Sequence, residues 1–183
     1  LLVNKGTGNN YGIDLTLEQF LRKNTYFLLS GSLYDSRYRG SDEVLRSTRY
    51  NGNYSFSFTA GKEIITGAKF KDRVLGLNIK TIYRGGFRDT PIDFEASQQN
   101  GNNETSYIYD KAFTEQYPAY FRTDVRVSLK RNRPNSTHIF AIDIQNVSNR
   151  KNIYGKFYDA ISNKVKTYYQ TSLIPILSYK IEF

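Results

Sequence analysis

The stretch Tyr169-Gln-Thr-Ser-Leu173-Ile-Pro-Ile-Leu177-Ser-Tyr179-Lys-Ile181-Glu-Phe183 decides the fold class. Phe183, Ile181, Tyr179, Leu177, Pro175, Leu173, Thr171 and Tyr169 alternate with a set that includes Glu182, Lys180, Ser178, Ser172 and Gln170. A period of two, with one apolar and one wet face, is the signature of a half-buried β-strand. The pattern runs to an aromatic last residue, where many chains taper into polar, loosely held residues.

The same period recurs upstream and predicts seven strands in all. Tyr11, Ile13, Leu15 and Leu17 alternate with Asp14, Thr16 and Glu18. Near 26–35, Phe27, Leu29, Gly31 and Leu33 oppose Ser30 and Ser32, and near 50–60, Tyr54, Phe56 and Phe58 oppose Asn53, Ser55, Ser57 and Thr59. Near 74–85, Leu75, Leu77, Ile79, Thr81 and Tyr83 oppose Asn78, Lys80 and Arg84. Near 120–130, Thr123, Val125, Val127 and Leu129 oppose Arg122, Asp124, Arg126, Ser128 and Lys130, and near 138–146, Phe140, Ile142 and Ile144 oppose Asp143 and Gln145. No charge falls on the apolar face of these segments. Leu28, Ile82, Ile174 and Ile176 fall on the polar face, which implies either local packing there or a register slip of one residue, since such a slip exchanges the faces.

Composition agrees with a particular kind of β-protein. The 183 residues contain no Cys, Met or Trp, so disulfides and cysteine metal sites are excluded, and the absence of Met is read as a mature or partial chain. Mean hydropathy is −0.58, yet there are 16 Tyr and 12 Phe. No run approaches the ~18 apolar residues of a membrane helix. Membrane strands carry a weaker signal, and an aromatic-rich, polar-on-average chain suits a transmembrane barrel. The connections sort by length: 21–25, 61–73 and 131–137 are short or intermediate, whereas 36–48, 86–118 and 148–167 are long. Outer-membrane barrels place short turns on the periplasmic side and long loops outside. Arg133-Pro134-Asn135-Ser136 reads as a tight turn. Gly85-Gly86 reads as a strand end or a close backbone approach. Asn100-Gly101-Asn102-Asn103 reads as a loop tip.

Net charge is +9, with basic residues scattered along the chain and no stacking platform or recognition helix beside them, so nucleic acid is not an expected partner. Ser136 and His138, the only histidine, make an imaginable nucleophilic pair. No orienting acid or oxyanion hole is evident for it. No catalytic residue, cofactor or metal site is expected.

Several stretches taken together resemble the C-terminal part of a TonB-dependent outer-membrane receptor of the Bacteroidetes type. They are Gly6-Thr-Gly-Asn-Asn-Tyr-Gly-Ile-Asp-Leu-Thr-Leu-Glu18, Gly31-Ser-Leu-Tyr-Asp-Ser-Arg-Tyr38, Tyr83-Arg-Gly-Gly-Phe-Arg-Asp-Thr-Pro-Ile-Asp93, Asp143-Ile-Gln-Asn-Val-Ser-Asn-Arg-Lys-Asn152 and the terminal Tyr179-x-Ile181-x-Phe183. The resemblance implies an all-β, antiparallel transmembrane barrel of about 22 strands, of which residues 1–183 supply the last seven or so. It implies a plug domain and a TonB-contacting segment that lie outside this sequence. It implies active import of a large or scarce ligand (siderophore, glycan, peptide or cobalamin) across the bacterial outer membrane. The implied partners are outer-membrane lipid, the rest of the receptor, TonB and the barrel-assembly machinery. The last would read Tyr179, Ile181 and Phe183.

Ligand-binding candidates lie in the long outer loops and on the polar, lumen-facing side: Arg84, Arg88, Tyr107, Tyr109, Arg122, Asp124 and Arg126, with Lys80 and Lys130 nearby. For the charged residues, a ladder of cross-strand pairs is the structural alternative. For Tyr107, Tyr109, Tyr117 and Tyr120, the alternative is an interfacial aromatic girdle, a role that fits Tyr120 better than Tyr107. Two other architectures fit part of the pattern. One is a complete small barrel of about eight strands, an adhesin or lipid-modifying enzyme, with its missing strand in 1–5 or 104–112. The other is a soluble β-sandwich binding module.

Overall fold

The computed structural model describes residues 5–66, 72–100 and 104–183. Its strands in chain order are β1 (Thr7–Arg22), β2 (Thr25–Arg39), β3 (Leu45–Ser47), β4 (Tyr54–Thr66), β5 (Arg73–Arg84), β6 (Arg88–Asp89), β7 (Glu115–Gln116), β8 (Tyr120–Arg133), β9 (Ser136–Gln145), β10 (Ile153–Asp159), β11 (Lys164–Tyr169) and β12 (Ile174–Glu182), with one short helix, α1 (Phe94–Gln99). Seven form an antiparallel meander in the order β1-β2-β4-β5-β8-β9-β12, with β3 added beside β2. These are the seven alternating segments of the sequence.

Their ends differ in places from the expected ones. β2 runs on to Arg39, and β12 begins only at Ile174. Tyr169 belongs to β11, which pairs with β10 in a separate hairpin, so the alternation from Tyr169 to Leu173 does not continue the last strand. The stretch 104–112 holds an isolated bridge at Tyr107 and a 3-10 turn, Tyr109–Lys111, not an eighth long strand. Residues 1–4 and the tip Gly101-Asn102-Asn103 lie outside the described residues. Among the described residues β1 does not pair with β12, so the meander has two edges and no closed barrel is present.

Register places the apolar residues of all seven strands on one face. Leu75, Leu129, Phe140 and Tyr179 stand in one cross-strand row, and Leu77, Val127, Ile142 and Leu177 in the next. Ser57, Ile82 and Arg122 share a row on the other face, as do Arg126, Asp143 and Ile176. Leu28, Ile82, Ile174 and Ile176 are therefore true polar-face residues, with no slip at any of them; the register shifts once in the meander, between Gln19 and Arg22 of β1, which brings Arg22 opposite Thr25 on the apolar side. Charge does reach the apolar face: Asp35 lies on it within the predicted second segment, opposite Tyr11, and further charges follow where strands outrun the predicted segments, with Lys62 opposite Leu77 and Arg73 opposite Arg131.

The rows climb steadily. The row through Leu17, close to the β1–β2 turn, passes Leu29, Phe58 and Thr81 and reaches Thr123, near the loop end of β8. One-sided stagger of this sort accompanies strands tilted about a common axis.

Short connections lie at one end of the meander. Lys23 and Asn24, both at positive φ (51° and 60°), make the two-residue β1–β2 turn. Positive φ at both central residues matches the twist of an antiparallel hairpin. Pro134-Asn135 joins β8 to β9 as the sequence predicts. The long connections at the opposite end, 40–53, 85–119 and 146–173, pack on one another. Most of the burial is there and is largely polar: Asn51, Ser97, Asn146 and Asn152 are buried, with Tyr117 and Tyr158. Ala141 is the one buried apolar side chain on a long strand among the described residues.

Glycines set how closely the long connections approach. A Cβ on Gly85 would lie 1.7 Å from the Gly52 carbonyl oxygen, and one on Gly86 would lie 1.8 Å from that of Tyr117. The reading of Gly85-Gly86 as a strand end and a close approach holds on both counts. Gly86→Ala should destabilise the protein by about 1–3 kcal/mol, the usual range for overpacking, and open the 85–119 connection to limited proteolysis. An unchanged melting temperature together with wild-type protease resistance would contradict this packing.

Candidate functional site

The candidate site is the polar face of the meander immediately beneath the packed connections. Side chains at i and i+2 on a strand share a face, and cross-strand neighbours bring further groups alongside. Arg84 and Tyr120 are paired at the ends of β5 and β8, with Ser55 on the other side of Arg84. The Arg84 guanidinium lies 3.9 Å from the Phe87 ring centroid and 4.6 Å from that of Tyr120. Both contacts are within cation–π range. The guanidinium makes no ion pair or hydrogen bond with any of the described residues. Phe87 in turn meets Tyr50 edge to face at 5.2 Å, and the Tyr34 hydroxyl donates to the Tyr50 carbonyl at 3.1 Å. Tyr34 and Tyr50 also line a hollow of about 420 Å³, together with Asn10, Asp14, Ser32 and Ser55.

The charged ladder continues down β8. Arg122 grips Asp124 with two hydrogen bonds, Nε to Oδ1 at 2.7 Å and Nη2 to Oδ2 at 2.9 Å. Asp124 Oδ1 also accepts the Asn146 backbone N–H at 2.8 Å. Arg126 donates to Asp143, its partner across the strands, at 2.7 Å. A second hollow, of about 240 Å³, is lined by residues including Lys80, Asp124, Arg126, Asp143 and Gln145. Arg122, Asp124 and Arg126 thus have internal partners along the ladder, whereas Arg84 offers the edge of its guanidinium.

No family model, curated protein or solved structure matches this chain.

The other predicted residues are placed elsewhere. Arg88 holds connections together, donating from Nε to the Asn51 carbonyl at 2.9 Å and from its backbone N–H to the Arg49 carbonyl at 2.8 Å. Tyr107 and Tyr109 meet edge to face at 6.5 Å, with Tyr107 half-buried and Tyr109 exposed. Tyr120 stands on the polar face beside Arg84, not in an aromatic girdle on the apolar face. Tyr179 and Ile181 lie on the apolar face of β12, and Phe183 follows that strand fully exposed. Ser136 Oγ is 3.1 Å from His138 Nε2, and the other ring nitrogen is 2.8 Å from the Tyr179 hydroxyl. A phenol therefore stands where a triad would need an orienting carboxylate. The sequence does not mark Tyr50 and Phe87 as site residues, since only the folding of 40–53 and 85–119 over the sheet end brings Phe87 to Arg84 and Tyr50 to Phe87; Tyr34 and Asp143 join the site from β2 and β9.

Above the site, Tyr117 is buried and its hydroxyl donates to Asp89. Burial, with the Asp89 hydrogen bond and charge, pushes this phenol well above the usual tyrosine range. A raised folded-state pKa contributes stability that is intact below the unfolded tyrosine value, near 10. That contribution is lost as pH rises past it, because the unfolded chain ionises first. Tyr117 should stay protonated at pH 11 while exposed tyrosines ionise. Tyr117→Phe should then leave the pH 11 tyrosinate absorbance of the folded protein unchanged, and a drop would show that Tyr117 ionises normally.

Asn51, 1 % exposed, accepts the Ser36 backbone N–H at 3.1 Å and donates to Asp35 at 2.8 Å. Asn51→Ala strands these groups and should cost about 1–3 kcal/mol, read as a fall in the denaturation midpoint. A midpoint within error of wild type would remove Asn51 as the organiser of the 40–53 connection.

Proposed function

We propose that this chain is a wall segment of an outer-membrane β-barrel receptor of the TonB-dependent type, which imports a ligand too large or too scarce for passive pores. The observation that carries the reading is the apolar face of the meander, exposed and in register across all seven strands. Leu15 is 72 % exposed and Leu177 is 70 %. Seven strands at ~4.8 Å spacing make this face roughly 30 Å wide. The nine residues from Phe121 to Leu129, at about 3.3 Å each and tilted by about 40°, make it roughly 20 Å tall. In projection this lies at the upper limit of the apolar patch a typical soluble monomer exposes, about 600 Å². The height is close to the apolar band of about 25 Å on membrane barrels.

The sorted connections and the one-sided stagger support the same reading. The two unpaired edges fit a wall that the remainder of a receptor completes, since hydrocarbon tolerates no open sheet edge. In this reading the polar face lines the lumen, where Arg84 and its aromatic neighbours meet an incoming ligand or the plug. The packed long connections stand at the cell surface. The chain supplies binding groups and a path, and no covalent step.

Fractionation of cells making the native protein tests this directly. The protein should sediment with the outer membrane, resist alkaline carbonate and migrate differently on electrophoresis before and after boiling. Recovery in the soluble fraction would sink the barrel reading in favour of the sandwich. The mass of the native polypeptide separates the remaining two: a receptor should exceed this segment by several hundred residues' worth of barrel and plug, and a small barrel should not.

A further inference from the structure

The apolar face carries its larger cluster of cations at the short-connection end; at the other end the same face holds Arg37, paired with Asp35, and Arg39. On the strand positions that share this face, Arg22, Lys62, Arg73, Arg131 and Arg133 all lie within a few residues of the short connections. All five are exposed. On the described apolar-side positions of the seven long strands, the only acid is Asp35, and it belongs to the opposite end, where Tyr11, Arg37 and Asn51 engage it. Among the described residues the one carboxylate in ion-pair range of the cationic row is Asp72, in a connection, 3.8 Å from Arg131 Nε. His138 sits in the same row, hydrogen-bonded to Tyr179. A row of guanidinium groups directly beneath an exposed apolar band matches the layout of an anionic phospholipid, acyl chains against the band and phosphate at its border.

We propose that Arg73, Arg131 and Arg133, flanked by Lys62 and Arg22, form a binding rim for anionic phospholipid headgroups in the leaflet that meets the short turns. This rests on the outer-membrane reading above. Arg73 and Arg131 are direct cross-strand neighbours and Arg133 follows two residues on, so the three present one cluster across the β5–β8 pair. Cation-to-headgroup attraction at a bilayer surface gives about a fivefold gain in affinity per residue.

The test is lipid binding to the full-length, detergent-solubilised protein, with fluorescent phosphatidylglycerol against fluorescent phosphatidylcholine. Wild type should prefer phosphatidylglycerol. The Arg73→Gln/Arg131→Gln/Arg133→Gln variant should lose on the order of 100-fold of that preference, and the matching Arg→Lys variant should keep most of it. Lys130→Gln/Lys180→Gln removes two cations from the same end but from the polar face, and should leave the preference intact. Equal binding of the two lipids by wild type would overturn the rim, as would an equal loss in both glutamine variants. Displacement of phosphatidylglycerol by millimolar inorganic phosphate would also overturn it, in favour of a simple phosphate site. Failure of the protein to fractionate with membranes would instead remove the outer-membrane reading itself.

Discussion

The steady climb of the cross-strand pairing is the constraint on which the rest of this structure depends. Because each strand is displaced the same way, strands such as β8 extend past their neighbour at the loop end. Val125 is the last β8 residue that β9 reaches, through Ile144. The backbone from Tyr120 to Asp124 therefore needs other partners on that side, since unpaired amides are costly once water is excluded. The 146–173 connection supplies them. Asn152 places its side-chain amide against Phe121, accepting its N–H at 3.0 Å and donating to its carbonyl at 2.9 Å. Val147 donates its backbone N–H to the Thr123 carbonyl at 2.8 Å. The long connections are thus held by polar groups that finish an incomplete sheet, which is why the buried residues there include three asparagines.

This explains a division of labour between the two ends. The middle of the sheet leaves many of its apolar side chains exposed and gains little internal burial. Internal order concentrates where Asn51, Asn146, Asn152 and Tyr117 tie the connections to the strand ends. Ion pairs on the polar face, Arg122–Asp124 and Arg126–Asp143, fix side chains along β8 and add modestly to stability at their partial exposure. Arg84 is different in kind: its guanidinium lies against the Phe87 and Tyr120 rings on the polar face of the sheet and pairs with no carboxylate among the described residues.

Much of the sheet was legible in the sequence because a period of two is a strong local signal whenever one face is apolar. Each of the seven alternating segments became a long strand, and Pro134-Asn135 and Gly85-Gly86 marked real boundaries. The limits failed where the pattern had no contrast. Ser36–Arg39 extends β2 with Arg37 and Arg39 on the apolar side and Tyr38 on the other, which inverts the expected contrast, and Tyr169–Leu173 keeps the period of two across a break between strands. The interior of the long connections was not legible. The helix Phe94–Gln99 is too short to show a periodicity, though Asp93 caps it by accepting the Ala96 N–H at 2.9 Å. The hairpin of β10 and β11 is an ordinary strand pair hidden in what reads as a loop. The charged candidates Arg122, Asp124 and Arg126 were legible from spacing. The aromatic setting of Arg84 was not, because it joins residues from separate connections.

One detail bears on how such a protein ages. Asn51 is followed by Gly52, and in a pliable chain an asparagine before glycine is prone to cyclise and deamidate, since no side chain shields the attacking backbone nitrogen. Here the Gly52 nitrogen is engaged with the Tyr50 carbonyl at 2.7 Å, and the Asn51 carboxamide is held by Ser36 and Asp35. The fold that uses this asparagine as an organiser also guards it chemically. Its conversion to aspartate or isoaspartate would therefore act as a clock for time spent unfolded, and its intact amide as a record of prompt folding.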